Sequence, residues 1–532
     1  MEHEYLSLLK NFKESKLKMD QYEPFYWNLQ LEDDRLYKSI GILGGGLAGY
    51  LTAIAFKKFF NLPVTVIESS KIPPIGVGEA TTPIMQDYLF DSLGLDKAKF
   101  YDKVEPTWKL GIKFFWGLPG DYYFNYPFDG KDILSAMVHN QDINHSSLNS
   151  MMMSNDASFV AKITDGEKSK YHSLSKSLKY AYHLDNKKFI AYLKEEAMDA
   201  GVIFLDENIA DAKINSETGD IECLISEGGQ HFKFDFYIDC SGFKSQLLEK
   251  KMGTAYVSYK SSLYNDSAIV SEVPNFGNIK CYTTAESMNN GWCWNIPLRH
   301  EDHRGYVFSS DFCSDDEAYE EMLLKNPTMS KDTRVIRFRS GRHTEFIKGN
   351  VAGIGNSYAF VEPLESTGVH MIIEEIIMLL NNFINLKGNP TLRTVLNKNM
   401  NDHWDYLRYF LSIHFKFNRK FDTAYWKACR DRVDSSGFET FINLYKEIGF
   451  LTKQDTTVKN VIKTMVKDNL FDLYGIDHIL LGQGILPKDL HKIQLDNKKE
   501  WDRTVEDWNQ IIKYLVPLKD DLEILLEHQD LI

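Results

Sequence analysis

The sequence predicts a mixed fold, α/β (α+β), built on a Rossmann-like βαβ unit that binds a nucleotide. Three observations predict it. An apolar run that starts at Ser39, SIGILGGG, ends in glycines; a helix-like pattern, LAGYLTAIAFKKF, comes next; and a β-branched run, VTVIES, closes the unit. Strand, glycine turn, helix and strand in this order open a dinucleotide-binding domain.

The glycine turn carries a GxGxxG motif made by Gly44, Gly46 and Gly49. The first glycine permits a tight turn, the second lets the backbone approach a pyrophosphate, and the third allows the helix to pack closely on the strand. The N-terminus of the helix would face the phosphates. Glu68 ends the next strand, where a carboxylate binds ribose hydroxyls. Both FAD and NAD use this arrangement, so the motif alone leaves the cofactor open.

Two further features favour FAD. IGVGEAT, residues 75–81, follows Glu68 closely, and its small residues allow the backbone to lie against a planar ring. The segments YIDCSG (237–242) and GIGNS (353–357) each end a predicted strand and resemble later FAD contacts of flavin monooxygenase-type proteins. The predicted cofactor-binding residues are Gly44, Gly45, Gly46, Ala48, Gly49, Glu68, Ile75, Val77, Gly78, Glu79, Ala80, Ile209, Gly355 and Leu364.

The patterns divide the chain into three parts. Residues 1–38 form an N-terminal extension, and residues 39–390 form the FAD-binding, monooxygenase-like core with inserted segments that build a substrate-side sheet. Residues 391–532 are mostly helical and would cover the substrate pocket. Enrichment in Ser, Asn and Met predicts a loop over 140–155. We interpret LRHEDHRG, residues 298–305, as a solvated turn with surface histidines, so no metal site is predicted and a metal-dependent oxygenase is disfavoured.

Composition limits the classes of partner. The chain has 532 residues, a net charge of −14 and 43% hydrophobic residues, which supports a large folded core and argues against binding to nucleic acid or anionic membranes. The six cysteines are scattered without a CxxC pair, as expected in a reducing compartment. The N-terminus lacks the apolar region of a signal peptide, and no apolar stretch is long enough to span a bilayer. We therefore expect a cytoplasmic protein.

Three more segments carry chemistry. In GWCWNIP, Trp292 and Trp294 alternate and would share one strand face. In FVEPLESTG, Ser366, Thr367 and Gly368 open an apolar helix that extends to about residue 386, and free N–H groups at a helix start attract anions. Considered alone, the tryptophans fit a protein core and the helix start fits an ordinary cap. In TWKLGIKFFWG, alternation predicts Lys109 and Lys113 on one face of a single strand, where lysines are usually solvent-exposed.

Together with GxGxxG and GVGEAT, and in this order, these segments resemble the signatures of flavin-dependent halogenases of the tryptophan halogenase type. The resemblance extends from Ser39 to about residue 430. It implies that Lys109 is the essential lysine and Glu365 the acid on the substrate side, both catalytic. It implies a halide against the backbone amides of Thr367 and Gly368. Substrate-side roles fall on Tyr126, Phe128, Trp292, Trp294 and Ser366.

The family mechanism uses reduced FAD delivered by a separate flavin reductase, dioxygen, and chloride, bromide or iodide. Hypohalous acid formed near the flavin reaches the lysine, which positions or carries the electrophilic halogen against an electron-rich aromatic small molecule. The family is compatible with a homodimer. An FAD-dependent aromatic hydroxylase shares the fold and the FAD motifs but does not require the three extra segments. A catalytically silent flavoprotein would be expected to lose Lys109, Glu365 or the helix start.

Substrate choice departs from the family pattern. Halogenases of free tryptophan carry a Tyr- and Glu-bearing stretch near the C-terminus that grips the ammonium and carboxylate. The corresponding residues here, 458–484, lack the paired tyrosines and the acidic run, and Phe471 and Tyr474 are the nearest equivalents. Unpaired charges are costly to bury. We therefore predict an indole- or phenol-type substrate other than free tryptophan, with a free-tryptophan halogenase that has an altered clamp as the alternative.

Overall fold

The computed structural model describes residues 36–72, 77–130, 132–454, 456–466, 470–528 and 531. The predicted N-terminal extension lies outside the described residues except for residues 36–38. Within the described part of the chain, no helix combines the length and the apolar character needed to cross a membrane.

The nucleotide-binding unit is a six-stranded sheet whose four inner strands are buried, whereas the edge strand Ile203–Asp206 is largely exposed. Because both faces of the inner strands are covered, those strands are mostly apolar runs rather than alternating ones. Five of the strands run parallel, and the edge strand Ile347–Lys348 is antiparallel. The order across the sheet is Ile203–Asp206, Val64–Glu68, Ile40–Leu43, Phe236–Asp239, Val351–Gly353 and Ile347–Lys348.

A seven-stranded sheet forms the second large sheet of the core. Its pairs are antiparallel except for the parallel pair of Thr283–Met288 with Gly111–Phe115. The order is Arg334–Arg337, Ser267–Pro274, Glu301–Phe308, Gly291–Pro297, Thr283–Met288, Gly111–Phe115 and Phe124–Pro127. The predicted substrate-side sheet is therefore present, and GWCWNIP forms one complete strand within it.

Four three-stranded sheets complete the β-structure. They are Ile209–Ile214 with Ile221–Ser226 and His231–Phe232; Tyr256–Ser258 with Gly341–His343 and Ala359–Phe360; Ala157–Asp165 with Lys168–Ser173 and Leu515–Pro517; and Ala181–Leu184 with Glu79–Ala80 and Thr107–Lys109. The last of these sheets matters most for the site, because it joins the GVGEAT segment to the strand that carries Lys109.

Helices cover the sheets and make up most of the C-terminal region, as predicted. The helices of eight or more residues are Leu47–Phe60, Lys97–Val104, Asn186–Asp199, Asp315–Lys325, Gly368–Asn382, Pro390–Lys416, Ala424–Arg432, Glu439–Ile448, Thr456–Val466, Leu473–Gly482, Lys498–Ile512 and Leu518–Glu527. Shorter ones include Ile84–Gln86, Asp87–Ser92, Ile133–Ser135, Ala136–Asn140, Leu148–Ser154 and Gln246–Lys251. The apolar helix expected from Thr367 begins at Gly368 and ends at Asn382.

Two local predictions are wrong. The solvated turn predicted over residues 298–305 is limited to residues 298–300, because residues 301–308 form a strand of the large sheet and His303 is only 8% exposed. The stretch 140–155 contains a short helix, Leu148–Ser154, whose methionines are buried. In both places local polar composition predicted irregular structure, whereas packing of the strand and of the helix buries several of their polar side chains.

TWKLGIKFFWG also forms two strands instead of one. Thr107–Lys109 and Gly111–Phe115 belong to different sheets, and Leu110 lies at the break between them. The N–H of Leu110 donates to the carbonyl of Cys281. Strict alternation along the segment is lost, so Lys109 and Lys113 have different surroundings.

Candidate active site

A long cavity runs from the glycine turn to the large sheet. At one end it is lined by Gly45, Gly46, Ala48 and Gly49, and at the other by strand residues such as Trp294. Gly46 has φ +143°, and a Cβ added there would meet nothing within 4 Å, so the space beside it is open. A Cβ at Gly49 would lie 2.1 Å from the Gly44 carbonyl oxygen, which accounts for the third glycine. The residues present therefore fit an FAD whose pyrophosphate lies at the helix start.

Glu68 closes the ribose end of this cavity. Its carboxylate accepts hydrogen bonds from the Tyr50 hydroxyl at 2.5 Å and from Lys194 at 2.6 Å. A Cβ at Gly45 would clash with the Glu68 carboxylate, so the two residues are in direct contact. An acid held in this position can accept hydrogen bonds from ribose hydroxyls.

The predicted cofactor residues fall into three groups. Those that line the cavity are Gly45, Gly46, Ala48, Gly49, Val77, Gly78, Glu79 and Ala80. Those beside it are Gly44, Glu68 and Gly355; Gly355 contacts Ala48 and Ile372, which both line the cavity. Leu364 is buried behind the lining, and Ile209 lies near the ribose end, two residues beyond Glu207, whose N–H donates to the Glu68 carbonyl. Ile75 lies outside the described residues.

A second cavity, of about 540 Å³, lies on the other side of a thin wall. Glu365 lines this second cavity, whereas Ser366 and Gly368 line the first. Consecutive residues thus face opposite cavities. The turn that allows this includes Ser366 at φ +57°, an unusual conformation for a residue other than glycine. FVEPLESTG is therefore the segment that separates the two cavities.

The helix start in this wall leaves N–H groups available on the flavin side. In the described part of the chain, the N–H groups of Thr367 and Gly368 have no hydrogen-bond acceptor, whereas Ser366 and Met371 donate to the carbonyls of Pro363 and Thr367. A Cβ at Gly368 would meet nothing within 4 Å. Free N–H groups at the positive end of a helix, beside open space, make a suitable site for a halide ion.

Lys109 is fully buried next to the second cavity. Its ammonium donates to the carbonyl of Thr81 at 3.0 Å and lies 5.5 Å from the ring centre of Phe128. Burial lowers the pKa of Lys109 to about 7, and the nearby Glu365 carboxylate partly opposes this shift. The amine and ammonium forms are therefore close in energy near neutral pH.

Lys113 provides the contrast. It is also buried, but its ammonium donates to the carbonyl of Met153 at 2.9 Å and lies 4.1 Å from the ring centre of Tyr282. It lines neither cavity. Ile112, which alternation placed on the opposite face from Lys109, lines the second cavity. The break at Leu110 is the reason for this difference.

Glu365 is buried and paired with a histidine that sequence reasoning missed. His414 Nε2 lies 2.7 Å from the Glu365 carboxyl, and His414 Nδ1 lies 3.1 Å from the carbonyl oxygen of Phe410. A carbonyl can only accept, so Nδ1 carries a proton and one further proton is shared between Nε2 and the carboxyl. Burial raises the pKa of Glu365, while His414 and Lys109 oppose the rise. His414 lies on the long helix 390–416 with no local motif that could reveal it.

Aromatic side chains surround the rest of the second cavity. Tyr126 and Phe128 line it, together with Phe471 and Tyr474 of the C-terminal region. The rings of Tyr126 and Tyr474 are stacked at 6.4 Å, and the Tyr474 hydroxyl contacts His478 at 2.5 Å. His370 also lines the cavity and is bonded to Thr82 at 2.7 Å. A flat aromatic ring fits between such walls.

The tryptophan pair lies on the flavin side of the wall. Trp294 lines the flavin cavity, and its ring is 5.9 Å from that of Trp292, so the two share a face as predicted. The Trp292 indole N–H donates to Glu362 at 2.6 Å. Glu362 is fully buried, burial raises its pKa to about 7, and Asn265 donates to the same carboxyl oxygen. Ser366, Trp292 and Trp294, predicted on the substrate side, therefore do not line the second cavity.

The two histidines of LRHEDHRG have different surroundings. His300 is exposed in the turn before the strand, as predicted, whereas His303 is buried opposite Glu272 in the large sheet. One ligand atom from each of Glu272, Glu301 and His303 lies within 4.8 Å of the others. The prediction of surface histidines is therefore wrong for His303, because β-pairing places it in the interior.

Comparisons with known proteins agree with this geometry. The family model described as tryptophan halogenase matches residues 39–498. The tryptophan 7-halogenase RebH of Lentzea aerocolonigenes is 29% identical over 447 residues, which cover 76% of this chain and 81% of that protein. The tryptophan 6-halogenase SttH of Streptomyces toxytricini is 31% identical over 424 residues, which cover 74% of this chain and 80% of that protein.

Solved structures extend the likeness to the whole fold. MibH, a lanthipeptide tryptophan 5-halogenase, superposes with a TM-score of 0.88 at 36% identity, covering 94% of this chain and 96% of that one. The crystal structure of SttH superposes with a TM-score of 0.80 at 26% identity, covering 91% and 99%. The fold, the two cavities and these matches lead to one conclusion: the chain belongs to the tryptophan halogenase family of flavin-dependent halogenases.

Proposed function

We propose that this enzyme halogenates an electron-rich aromatic ring, of the indole type, on a substrate other than free tryptophan. Reduced FAD from a separate reductase, dioxygen and a halide are the co-reactants. The observation that supports this most strongly is the wall at residues 365–368. Glu365 faces a cavity beside the buried Lys109, while Ser366 and Gly368 face the flavin cavity. The site can thus make an oxidant in one cavity and use it in another.

The flavin cavity supplies the first half of the reaction. When bound, reduced FAD provides the electrons that activate dioxygen and allow a halide to be oxidised to hypohalous acid. The residues of this chain orient that chemistry. The N–H groups of Thr367 and Gly368 would hold the halide at the helix start, where the helix dipole favours an anion. Trp294 fills the sheet side of the cavity and keeps the substrate ring away from the flavin.

Lys109 would carry the halogen into the substrate cavity. Because burial lowers its pKa to about 7, a substantial fraction is free amine near neutral pH. The amine nitrogen attacks the halogen of hypohalous acid, an N–halogen bond replaces one N–H bond, and water leaves. The aromatic carbon then attacks this halogen, which returns the nitrogen to an amine once it regains a proton. The Thr81 carbonyl and the Phe128 ring keep the lysine in place.

Glu365 would take the proton that the aromatic carbon loses, which is a general-base role. Its raised pKa makes the carboxylate a stronger base than an exposed one. His414 is a positioning residue, because its hydrogen bond to Phe410 fixes the ring that faces Glu365. The proton can return to Lys109, whose charge interacts with that of Glu365. Atoms balance: the ring exchanges hydrogen for halogen and both side chains return to their starting state.

Substrate choice follows from the second cavity. Its inner walls are aromatic, and the stretch 458–484 lacks the clamp that the family uses for the ammonium and carboxylate of tryptophan. In structural superposition the identity to MibH is 36% and that to the tryptophan 6-halogenase SttH is 26%, and MibH is described as a lanthipeptide tryptophan halogenase. Both points support a tryptophan side chain presented by a peptide.

Mass spectrometry tests the proposal. The reaction contains FAD, NADH, a generic flavin reductase, air and bromide, with capped tryptophan peptides, free tryptophan, indoles and phenols as substrates. We expect the isotope doublet of one bromine on the indole of a capped peptide and little product from free tryptophan. A gain of one oxygen without bromine would contradict the reaction type and favour a hydroxylase. Preferred turnover of free tryptophan would overturn the substrate class and favour an altered clamp.

A further inference from the structure

We propose that the mouth of the substrate cavity is a binding site for a carboxylate of the substrate, carried by an acidic residue next to the reacting aromatic residue in a peptide. The site consists of Lys97, Lys176 and Lys179, which all line this cavity; Lys176 is exposed and the other two are half-buried, so we call this part of the cavity its mouth. This inference rests on the proposed function, since it concerns the part of a peptide that stays outside when its indole occupies the cavity.

Two distant segments bring the lysines together. Lys97 is the first residue of helix Lys97–Val104, and its ammonium lies 5.8 Å from the ring centre of Phe90 and 5.7 Å from that of Tyr101. These rings hold the lysine stem against the protein. Lys176 and Lys179 belong to the connection between strands Lys168–Ser173 and Ala181–Leu184. Asn149 fixes that connection by donating to the Lys179 carbonyl at 2.7 Å.

The local charge is opposite to that of the whole chain. The chain carries a net charge of −14, yet among the described residues that line this cavity three are lysines, beside the carboxyl groups of Asp87 and the more deeply placed Glu365, with Asp91 nearby. Burial lowers the pKa of Lys97, and the charge of Lys176 lowers it further while Asp91 opposes both effects. Neighbouring like charges repel each other, and a bound anion relieves the repulsion. A concave mouth that gathers cations on an acidic protein therefore favours an anionic group.

The lysines lie at the outer end of the cavity, where the part of a peptide next to the reacting ring would be. Glu365, Tyr126 and Phe128 form the inner part, where the halogen is transferred, whereas Lys176 is exposed at the outer rim. A ring that occupies the inner part leaves its neighbouring residues in the rim. Electrostatic contacts at a rim change affinity and association rate more than the chemical step. The lysines should therefore act on KM and leave kcat nearly unchanged.

Four fluorescent peptides of one length test the proposal, each with a single tryptophan and a capped N-terminus. The C-terminus is also capped in the first three. The residues that flank the tryptophan are Asp in the first, Asn in the second and Lys in the third. The fourth has Asn with a free C-terminal carboxylate. Binding is measured by anisotropy, so this result does not depend on turnover, and failure of the proposed reaction is recognised separately by the bromination assay.

We expect the Asp peptide to bind about three- to tenfold more tightly than the Asn peptide, with the Lys peptide weakest, and high salt to reduce the difference. Lys176→Glu should invert the order of the Asp and Lys peptides, raise KM for the Asp peptide and leave kcat and FAD affinity unchanged. Lys97→Gln should reduce the preference without inverting it. The matched control is Lys233→Glu, an exposed lysine that lines neither cavity and should change nothing.

Three results would overturn the proposal. The first is equal binding of the Asp and Asn peptides to the unsubstituted enzyme. The second is an unaltered preference in Lys176→Glu. The third is turnover confined to aromatic groups attached to a carrier protein. Tight binding of the fourth peptide alone would assign the lysines to a terminal carboxylate and contradict the role of an acidic side chain.

Discussion

The two sides of the wall at residues 365–368 are built from different kinds of atoms. On the flavin side the functional groups are mainly backbone, namely the glycine turn at 44–49 and the helix start at Thr367 and Gly368. On the substrate side they are side chains, such as Lys109, Glu365 and Tyr126, drawn from elements far apart in sequence. A site built from backbone groups leaves a compact motif in the sequence, whereas a site built from side chains depends on how distant elements pack.

The largest expected effect comes from the lysine on the substrate side. Lys109→Met keeps the length of the side chain but removes the nitrogen, so we expect halogenation to fall by at least about 10³-fold because the activated nucleophile is lost. FAD affinity should stay unchanged and oxygen consumption should continue as uncoupled peroxide release. Product is measured by mass spectrometry and flavin binding by fluorescence quenching.

Lys113→Met is the matched control for this substitution. Both lysines are buried in neighbouring strands, but Lys113 faces Tyr123 and Tyr282 and lines neither cavity. Its loss should leave the turnover of the folded enzyme near that of the unsubstituted chain. Equal losses of turnover in the two variants would mean that Lys109 supports folding rather than the reaction, which would contradict its proposed role.

The next effect concerns the general base. Glu365→Gln keeps the shape but removes the negative charge, so turnover should fall by about 10²–10³-fold, within the range for loss of general acid–base catalysis. FAD affinity should change little, because Glu365 faces the other cavity. Glu362→Gln, three residues earlier and also buried, should lower the melting temperature with turnover largely retained. A Glu365→Gln enzyme with unchanged kcat would remove this carboxylate from the mechanism.

On the flavin side, Gly46→Ala tests whether the two cavities act independently. A Cβ at this position would enter the open space of the flavin cavity, and the alanine backbone would have to adopt φ +143°, which is unfavourable for any residue except glycine. We therefore expect FAD affinity to fall by about 10- to 100-fold. The apo-protein should keep its substrate-side properties, including binding of a capped tryptophan peptide. Titration of FAD and peptide against the same preparation measures both, and parallel losses would show that the two cavities are not independent.

The pH dependence should report the form of Lys109 that acts. Because the pKa of Lys109 is about 7 and the amine is the reactive form, turnover should rise about tenfold between pH 6 and pH 8 and then level off. The rate of peroxide release by Lys109→Met gives the pH dependence of the flavin reaction alone. Dividing the turnover of the unsubstituted enzyme by this rate at each pH isolates the pH dependence of the lysine step. A corrected profile that falls as pH rises through 7 would mean that the ammonium form acts as a hydrogen-bond donor.

The sequence predicted the flavin side well because its determinants are local. Spacing of three glycines between a strand and a helix locates a helix N-terminus, and the run after Thr367 locates another; both helices begin within one or two residues of the expected positions. The four inner strands of the parallel sheet were recognised for the same reason, since burial on both faces leaves continuous apolar runs, whereas the more exposed strand Ile203–Asp206 was not predicted.

The substrate side was recovered only in part. Resemblance to a family located Lys109 and Glu365, but simple alternation gave the wrong neighbours for Lys109 because the strand breaks at Leu110. His414, which lies 49 residues after Glu365 in the chain, reaches it only through helix packing. The lysines of the mouth come from two separate segments and share no pattern. Composition also misled at His303, where pairing between strands buries a stretch rich in charge.

The central claim is that the oxidant formed on the flavin side acts through Lys109 on the substrate side. The most direct measurement is mass spectrometry of the enzyme itself after turnover with reduced FAD, air and bromide but no aromatic substrate, followed by proteolysis. We expect the isotope doublet of one bromine on the proteolytic peptide that contains Lys109, with the bromine on the side-chain nitrogen of this lysine. The doublet should disappear when an aromatic substrate is added and should be absent from Lys109→Met. Bromine on other residues with Lys109 unmodified, while substrate is still halogenated, would contradict it.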